Sequence, residues 1–163
     1  LAAYRKIHLF DVDVPGGPNE KESDVIAPGP TEPVVVDVPE LGPVGLSVCY
    51  DLRFPELYRR LTELGARTLL IPSSFALGTG KDHWLTLLRA RAIENQAFVI
   101  APDQFGRKPH GRTKFGKTAI VDPWGQVMGC ARERDEDIVV CELDFDHQDR
   151  IRRSMPCHEH RRL

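Results

Sequence analysis

No stretch of this chain stays apolar for the roughly 20 residues that a membrane-spanning helix needs. No sign of charge dominates either: 22 basic against 24 acidic residues leave a formal net charge of -2. Such a balance gives no field to gather nucleic acid or an anionic membrane surface, so neither is expected as a partner. There is no Gly-rich phosphate loop and no GxSxG elbow. Disulfide frames are disfavoured too. The four cysteines, Cys49, Cys130, Cys141 and Cys157, are widely spaced and form no CxxC pair. That spacing reads as reduced thiols and predicts a cytoplasmic protein. The chain also lacks an initiator methionine and opens on Leu1-Ala2-Ala3-Tyr4 as if inside or beside a strand, which predicts a fragment, a processed chain or an incompletely read gene.

What is present is enough for one α/β domain spanning 1–163. Tyr4–Phe10 alternates loosely and predicts a short strand, and the Pro-, Gly- and acid-rich stretch from Asp11 to Pro33 predicts a long loop. Val34–Val38 and Val44–Cys49 predict strands joined by a tight turn. In Pro55–Leu64, leucines at 57, 61 and 64 keep helical spacing, with Pro55 suited to the first turn and Gly65 to the C-terminal cap. Arg67–Pro72 predicts the next strand, making a strand-helix-strand unit that favours parallel, right-handed pairing. Ser73–Asp82 predicts a loop, Trp84–Gln96 a helix, Ala97–Ala101 a strand and Asp103–Phe115 a basic loop. Lys117–Val121 and Gln126–Cys130 predict a hairpin around the turn Asp122-Pro123-Trp124-Gly125. Asp137–Leu143 predicts a last strand and Asp144–Arg153 a charged helix. The sheet is expected to be mixed.

The segment with most chemical content is Gly45-Leu46-Ser47-Val48-Cys49-Tyr50-Asp51-Leu52-Arg53-Phe54-Pro55-Glu56. An apolar strand runs into a cysteine, a polar turn follows, and Pro55 opens a helix. That arrangement exposes a nucleophile at the positive end of a helix, where the dipole and nearby cations would lower a thiol pKa. The bland alternative is a buried structural thiol, since free cysteine is among the most buried residue types. Lys6, amid strand-forming neighbours, is the candidate cation for an oxyanion; a solvated surface lysine is its alternative. Glu22 lies in the acidic part of the long loop. His83 and Trp84 open a helix carrying Arg89, Arg91, Glu94 and Asn95, which read either as surface ion pairs or as a face packed behind a site. Cys157-His158-Glu159-His160 looks like a metal cluster but lacks a second ligand pair at zinc-like spacing, so no metal is expected.

Several segments resemble the nitrilase superfamily of carbon-nitrogen hydrolases, and most of all its Nit branch of amidases. They are Tyr4-Arg5-Lys6-Ile7-His8-Leu9-Phe10-Asp11, the Cys49 segment above, Pro72-Ser73-Ser74-Phe75, His83-Trp84 with Leu88–Gln96, Val121-Asp122-Pro123-Trp124-Gly125 and His160-Arg161-Arg162. They stand in that family's order over nearly the whole chain. The resemblance implies an α-β-β-α sandwich with mixed sheets, represented by its C-terminal part with the N-terminal part missing. It implies hydrolysis of a non-peptide C–N bond in a small carboxylate-bearing amide, through a Glu-Lys-Cys triad and a cysteine thioester, without cofactor. Carried over, Cys49 is the nucleophile, Lys6 and the backbone N–H of Tyr50 hold the oxyanion, and Glu22, chosen over Glu20, helps order the site. Arg53, Glu56, Ser73, Phe75, His83 and Trp84 are carried over as residues that bind substrate or back the site, with Arg53, Arg107 and Lys117 as cations for a substrate carboxylate. Family members pair, so a homodimer or higher homo-oligomer is implied.

Two departures stand out. The family's general-base glutamate lies upstream of its lysine, and no acidic residue precedes Lys6; a general base is typically worth about 10²–10⁴-fold. Lys117 stands where the Nit branch commonly carries histidine. A non-catalytic remnant or interaction module of the same fold, lacking the base, is therefore the rival expectation. A thiol-redox role for Cys49 is the third, and the lack of a resolving cysteine nearby in sequence weighs against it.

Overall fold

A computed structural model describes residues 2–14, 19–109, 111–133 and 135–162. Its centre is one six-stranded sheet. The strands are β3 (Val34–Val38), β4 (Gly42–Leu46), β5 (Thr68–Leu70), β6 (Phe98–Ala101), β9 (Ala119–Val121) and β10 (Val127–Cys130). They lie in the order β10-β9-β6-β5-β4-β3. The β4-β5 and β5-β6 pairs are parallel, with Gly45 opposite Leu69 and Leu69 opposite Val99, and the outer pairs are antiparallel. The mixed α/β sheet expected from the sequence is what forms. Two small hairpins stand apart from it: β1 (Asp11–Asp13) with β2 (Asn19–Lys21), and β7 (Phe105–Arg107) with β8 (Thr113–Phe115).

Helices α1 (Pro55–Glu63) and α2 (Leu77–Asn95) pack on each other and on the sheet. Leu57, Tyr58 and Leu61 from α1 meet Trp84, Leu88 and Ala92 from α2 over Leu69, Ile71 and Val99. Glycine at 45 is what lets α1 sit this close: a Cβ there would fall 3.1 Å from the Leu61 side chain. Helix α3 (Phe145–Ser154), capped by the Asp144 carboxylate on the His147 N–H at 2.8 Å, closes the opposite end of the sheet. Its Gln148 donates to the carbonyls of Arg67 and Gln96, just ahead of β5 and β6, and its Phe145 ring meets Phe98 edge-on. The amino ends of these strands are thus sealed, and their carboxyl ends stay open for a ligand, as in other parallel α/β arrangements.

The structure corrects five expectations. Tyr4–Phe10 is not a strand; side-chain bonds, described below, hold it instead. The β4 strand ends at Leu46 rather than Cys49. Helix α2 begins at Leu77, seven residues before Trp84: Gly78 and Gly80 look like loop signals, but Gly80 serves packing, since a Cβ there would lie 2.5 Å from the Phe115 side chain. The long loop of 11–33 and the basic loop of 103–115 each contain a hairpin, residues 15–18 of the former lying outside the described residues. Asp137–Leu143 is extended and presses Val139 against Gly129, but among the described residues no strand pairs with it, and Ile138 and Val140 remain 86% and 85% exposed. Alternating apolar residues make a strand only where a neighbouring edge accepts their backbone bonds. The tail motif Cys157–His160 forms the short helix α4, in which His158 Nε2 meets the Asn95 carbonyl at 3.1 Å.

Candidate active site

After β4, Ser47 and Val48 continue extended, and the Cys49 N–H donates to the Pro72 carbonyl at 2.9 Å. Cys49 itself turns to φ 51° and opens a 3-10 turn over Cys49–Arg53. A left-handed conformation costs a non-glycine residue about 1–2 kcal/mol, so the surrounding contacts must hold it there. Asp51 supplies them. Fully buried, its carboxylate accepts from the Val48 N–H (2.9 Å), the Tyr4 hydroxyl (2.7 Å) and the His8 N–H (3.0 Å), and it meets His8 Nδ1 at 2.8 Å. His8 also stacks on Phe54, with ring centroids 3.6 Å apart. One carboxylate therefore ties the cysteine turn to the segment 4–8 that carries Lys6.

Lys6 is brought to Cys49 by that tie. Its side chain is only 11% exposed and its ammonium pairs with the Glu22 carboxylate, which also accepts the Phe10 N–H at 2.6 Å. Lys6, Glu22, Cys49 and Ser74 line two adjoining clefts of about 530 and 560 Å³. Tyr50, Arg53, Phe75, Arg112 and Lys114 also line the first, together with the loop carboxylates Glu20 and Asp24; Ser73, Pro102, Asp103 and Gln104 also line the second. Glu22 is thus the loop carboxylate at the lysine, and Glu20 is paired instead with Arg112 at 2.7 Å.

The Cys49 thiol is pushed up, not down. Burial dominates, the Ser74 N–H and the Lys6 charge pull the other way, and Asp103 and Glu22 add to the rise. This corrects the expectation of an activated thiol: the turn is buried enough that desolvation outweighs the cation beside it. A resting thiol of this kind needs a base to take its proton.

The other carried-over residues separate. Arg53 lies over the Tyr50 and Phe75 rings at 5.8 and 5.3 Å and touches His83 Nδ1 at 3.2 Å. Among the described residues no carboxylate pairs with it. Trp84 is fully buried behind Phe75, ring centroids 5.0 Å apart, and its indole N–H donates to the Lys117 carbonyl at 2.8 Å. His83 and Glu56 are exposed and line neither cleft. Arg107 and Lys117 line neither cleft as well; Lys117 turns to Glu133 at 3.5 Å. Of the α2 charges, Arg91 is the one that backs the site, with Nε and a guanidinium nitrogen donating to the Leu52 carbonyl at 3.0 and 2.8 Å. Sequence reasoning missed Lys114, Asp103 and the organising role of Asp51. The signal for Asp51 was its place two residues after the cysteine; no local pattern marks the other two.

Comparison with known proteins places this geometry. The family model for "Carbon-nitrogen hydrolase" matches residues 1–153. A "Deaminated glutathione amidase" of Synechocystis is 45% identical over 161 residues, covering 99% of this chain and 59% of that protein. The crystal structure of the Caenorhabditis elegans NitFhit protein superposes with a TM-score of 0.88 at 44% identity, over 99% of this chain and 39% of that one. An amidase from Nesterenkonia sp. AN1, solved as a mutant with the acetamide moiety of fluoroacetamide added covalently at the active-site cysteine, matches 82% of this chain and 47% of its own at 31% identity and a TM-score of 0.69. The chain spans about three-fifths of the length of the curated relative. Sequence signature, fold and relatives agree, and the chain belongs to the carbon-nitrogen hydrolase family, within its nitrilase superfamily and on the Nit side of it.

Proposed function

We propose that Cys49 is the nucleophile of an amidase acting on small amides that carry a carboxylate. The observation that carries this reading is the convergence of Cys49, Lys6 and Glu22 on one cleft whose other walls offer Arg53 and Lys114, cations in no close ion pair among the described residues. The sulfur adds to the amide carbonyl as its proton passes to a base. Lys6 and the Tyr50 N–H stabilise the resulting oxyanion. The tetrahedral intermediate collapses as the C–N bond breaks, the nitrogen leaves as ammonia or amine with a proton, and a thioester remains on Cys49. Water then cleaves the thioester, releasing the acid and restoring the thiol. Glu22, held by the Phe10 N–H, keeps the ammonium aimed. Arg53 and Lys114 receive the carboxylate, in place of the Arg107 and Lys117 expected from sequence. The name of the Synechocystis relative points to deaminated glutathione, an amide with carboxylates of its own.

The test is ammonia release from monoamides of dicarboxylic acids and from α-keto-acid amides. It compares this chain, a chimera completed with the part of the Synechocystis relative it does not match, and each with Cys49→Ala. Release that Cys49→Ala abolishes in either form establishes the cysteine amidase. No Cys49-dependent release from the folded chimera overturns it and favours a non-catalytic module.

A further inference from the structure

Asp103 follows β6 and is 9% exposed, yet it lines the second cleft together with Cys49, Lys6 and Glu22. One carboxylate oxygen accepts the Phe75 N–H at 2.9 Å. The other is buried and, among the described residues, has no hydrogen-bond partner. Around it the backbone is fully tied. Asp103 N–H donates to Thr118 Oγ1 at 3.0 Å, Ser73 N–H to the Pro102 carbonyl at 2.8 Å, and Gln104 N–H to the Ser73 carbonyl at 3.0 Å. The loop held in this way, 73–75, follows Pro72, whose carbonyl accepts the Cys49 N–H at 2.9 Å, and its Ser74 lines both clefts beside Cys49, with an N–H that favours the thiolate.

We propose that Asp103 is a positioning residue for the nucleophile: its carboxyl group anchors the loop whose Ser74 stands beside Cys49, and its negative charge, when present, holds the Cys49 sulfur in the thiol form. The two halves act in opposite senses. The anchor presents a donor that favours thiolate, and the charge disfavours it. An orphaned buried oxygen is costly to ionise, so the proton stays on longer than on an ordinary carboxyl. Burial pushes the Asp103 pKa up to about 7, against the N–H groups of Phe75, Gln104 and Gly116 and the charge of Lys114. The charge at the nucleophile is therefore present above that pH and absent below it. The other charged groups facing Asp103 come from three sides: Lys114 on β8, Lys6 and Glu22 across the second cleft, and Lys117, Arg132, Asp135, Glu136 and Asp137 around a smaller hollow on its far side. Arg132 there is already paired with Asp135 and Asp137, and Lys117 with Glu133.

The inference rests on Cys49 being the reactive thiol, but it is read without turnover, so its failure and that of the amidase reading can be told apart. The experiment follows iodoacetamide alkylation of the Cys49 peptide by mass spectrometry from pH 6 to 9 in the wild-type chain, Asp103→Asn and Asp103→Ala, with thermal melts to confirm folding. Asparagine keeps the acceptor for Phe75 and removes the charge. Alkylation at pH 8 is expected to rise about threefold in Asp103→Asn, equivalent to half a pKa unit on the thiol. The wild-type profile should flatten above pH 7, where Asp103 ionises, and the Asn profile should follow a single thiol curve. Asp103→Ala loses the anchor too and should react more slowly than Asp103→Asn. Should Asp103→Ala fail to fold, Asp103→Ser, with a shorter acceptor, takes its place. Superimposable wild-type and Asn profiles overturn the proposal, as does an anchor-deficient variant that matches Asn.

Discussion

The floor of the cleft and its rim use the same chemistry, carboxylates paired with donors and cations, in two different dielectric settings. On the floor Asp51 has no exposed surface and gathers three N–H or O–H donors and a histidine nitrogen within 3.0 Å. On the rim, Lys21 and Asp24 pair at 3.2 Å with side chains 67% and 63% exposed, and Arg112 meets Glu20 with the arginine 53% exposed. Water competes for both members of every rim pair, whereas on the floor the Asp51 carboxylate is wholly shielded and only partners such as His8, 27% exposed, reach solvent. The floor therefore fixes geometry, holding a strained cysteine and a lysine in register, and the rim sets only the charge a ligand meets on entry.

The sharpest way to break this contrast is Asp51→Ala. It leaves the Tyr4 hydroxyl and the Val48 and His8 N–H groups without their acceptor in a dry site. Removing one side of such a network costs about 3–5 kcal/mol. Urea unfolding should show the loss directly. Segment 4–8 should come loose with it, so limited proteolysis is expected to cut there in the variant and not in the wild type.

Asp103 lies between the two settings, buried like the floor but with one oxygen unpartnered. Its folded-state pKa is raised from 3.8 to about 7, so the folded protein holds this proton more tightly than the unfolded chain does. Its contribution to stability is full below pH 4 and is lost as pH rises to about 7. Asp103→Asn, which cannot ionise, should match the wild type near pH 4 and exceed it at pH 8 by about 2 kcal/mol, after discounting for residual solvent access. Denaturant midpoints across pH 4–8 measure this; parallel curves for the two proteins would remove Asp103 from the class of costly buried charges.

These settings also decide what the sequence made legible. The strands β3 to β6 were readable from short continuous apolar runs such as Val34–Val36 and Leu69–Ile71, and α1 because its leucines repeat at helical spacing. The cysteine turn was readable from Cys49 to Pro55. Periodicity could not show that Tyr4–Phe10 is held by side chains, because its bonds run to Asp51 across more than forty positions of sequence. Nor could it show that Gly80 belongs to a helix, because its reason is the Phe115 ring pressed against it. Asp137–Leu143 kept the pattern of a strand but not its pairing. The thiol pKa was misjudged for the same reason: a helix start and a cation are visible in sequence, and the depth of burial is not.

Lys6→Met probes the floor where it meets the chemistry. The Lys6 charge pulls the Cys49 thiol down against burial. Its loss should slow Cys49 alkylation at pH 8 about tenfold, one unit of thiol pKa, with Glu22 left unpaired beside the sulfur adding to the effect. Rates followed on the Cys49 peptide check it. An unchanged rate would mean that the ammonium is screened as the rim charges are, and the contrast between the two regions would fail at its most important pair.

Arg112→Ala should have the smallest effect. The guanidinium meets Glu20 at 2.7 Å and donates to the Asn19 carbonyl at 3.1 Å, but half of it faces water. An exposed pair of this kind is worth about 0.2–1 kcal/mol, and less at high salt. The thermal midpoint should shift by no more than a few degrees, and 0.5 M salt should erase most of the difference. If Arg112 also steers an anionic amide into the cleft, the variant's KM for such a substrate should rise while kcat holds, and a neutral amide should show neither change. A large stability loss that salt leaves untouched would put Arg112 with the floor, and would mean that the β1–β2 hairpin, through Glu20, helps to hold the site.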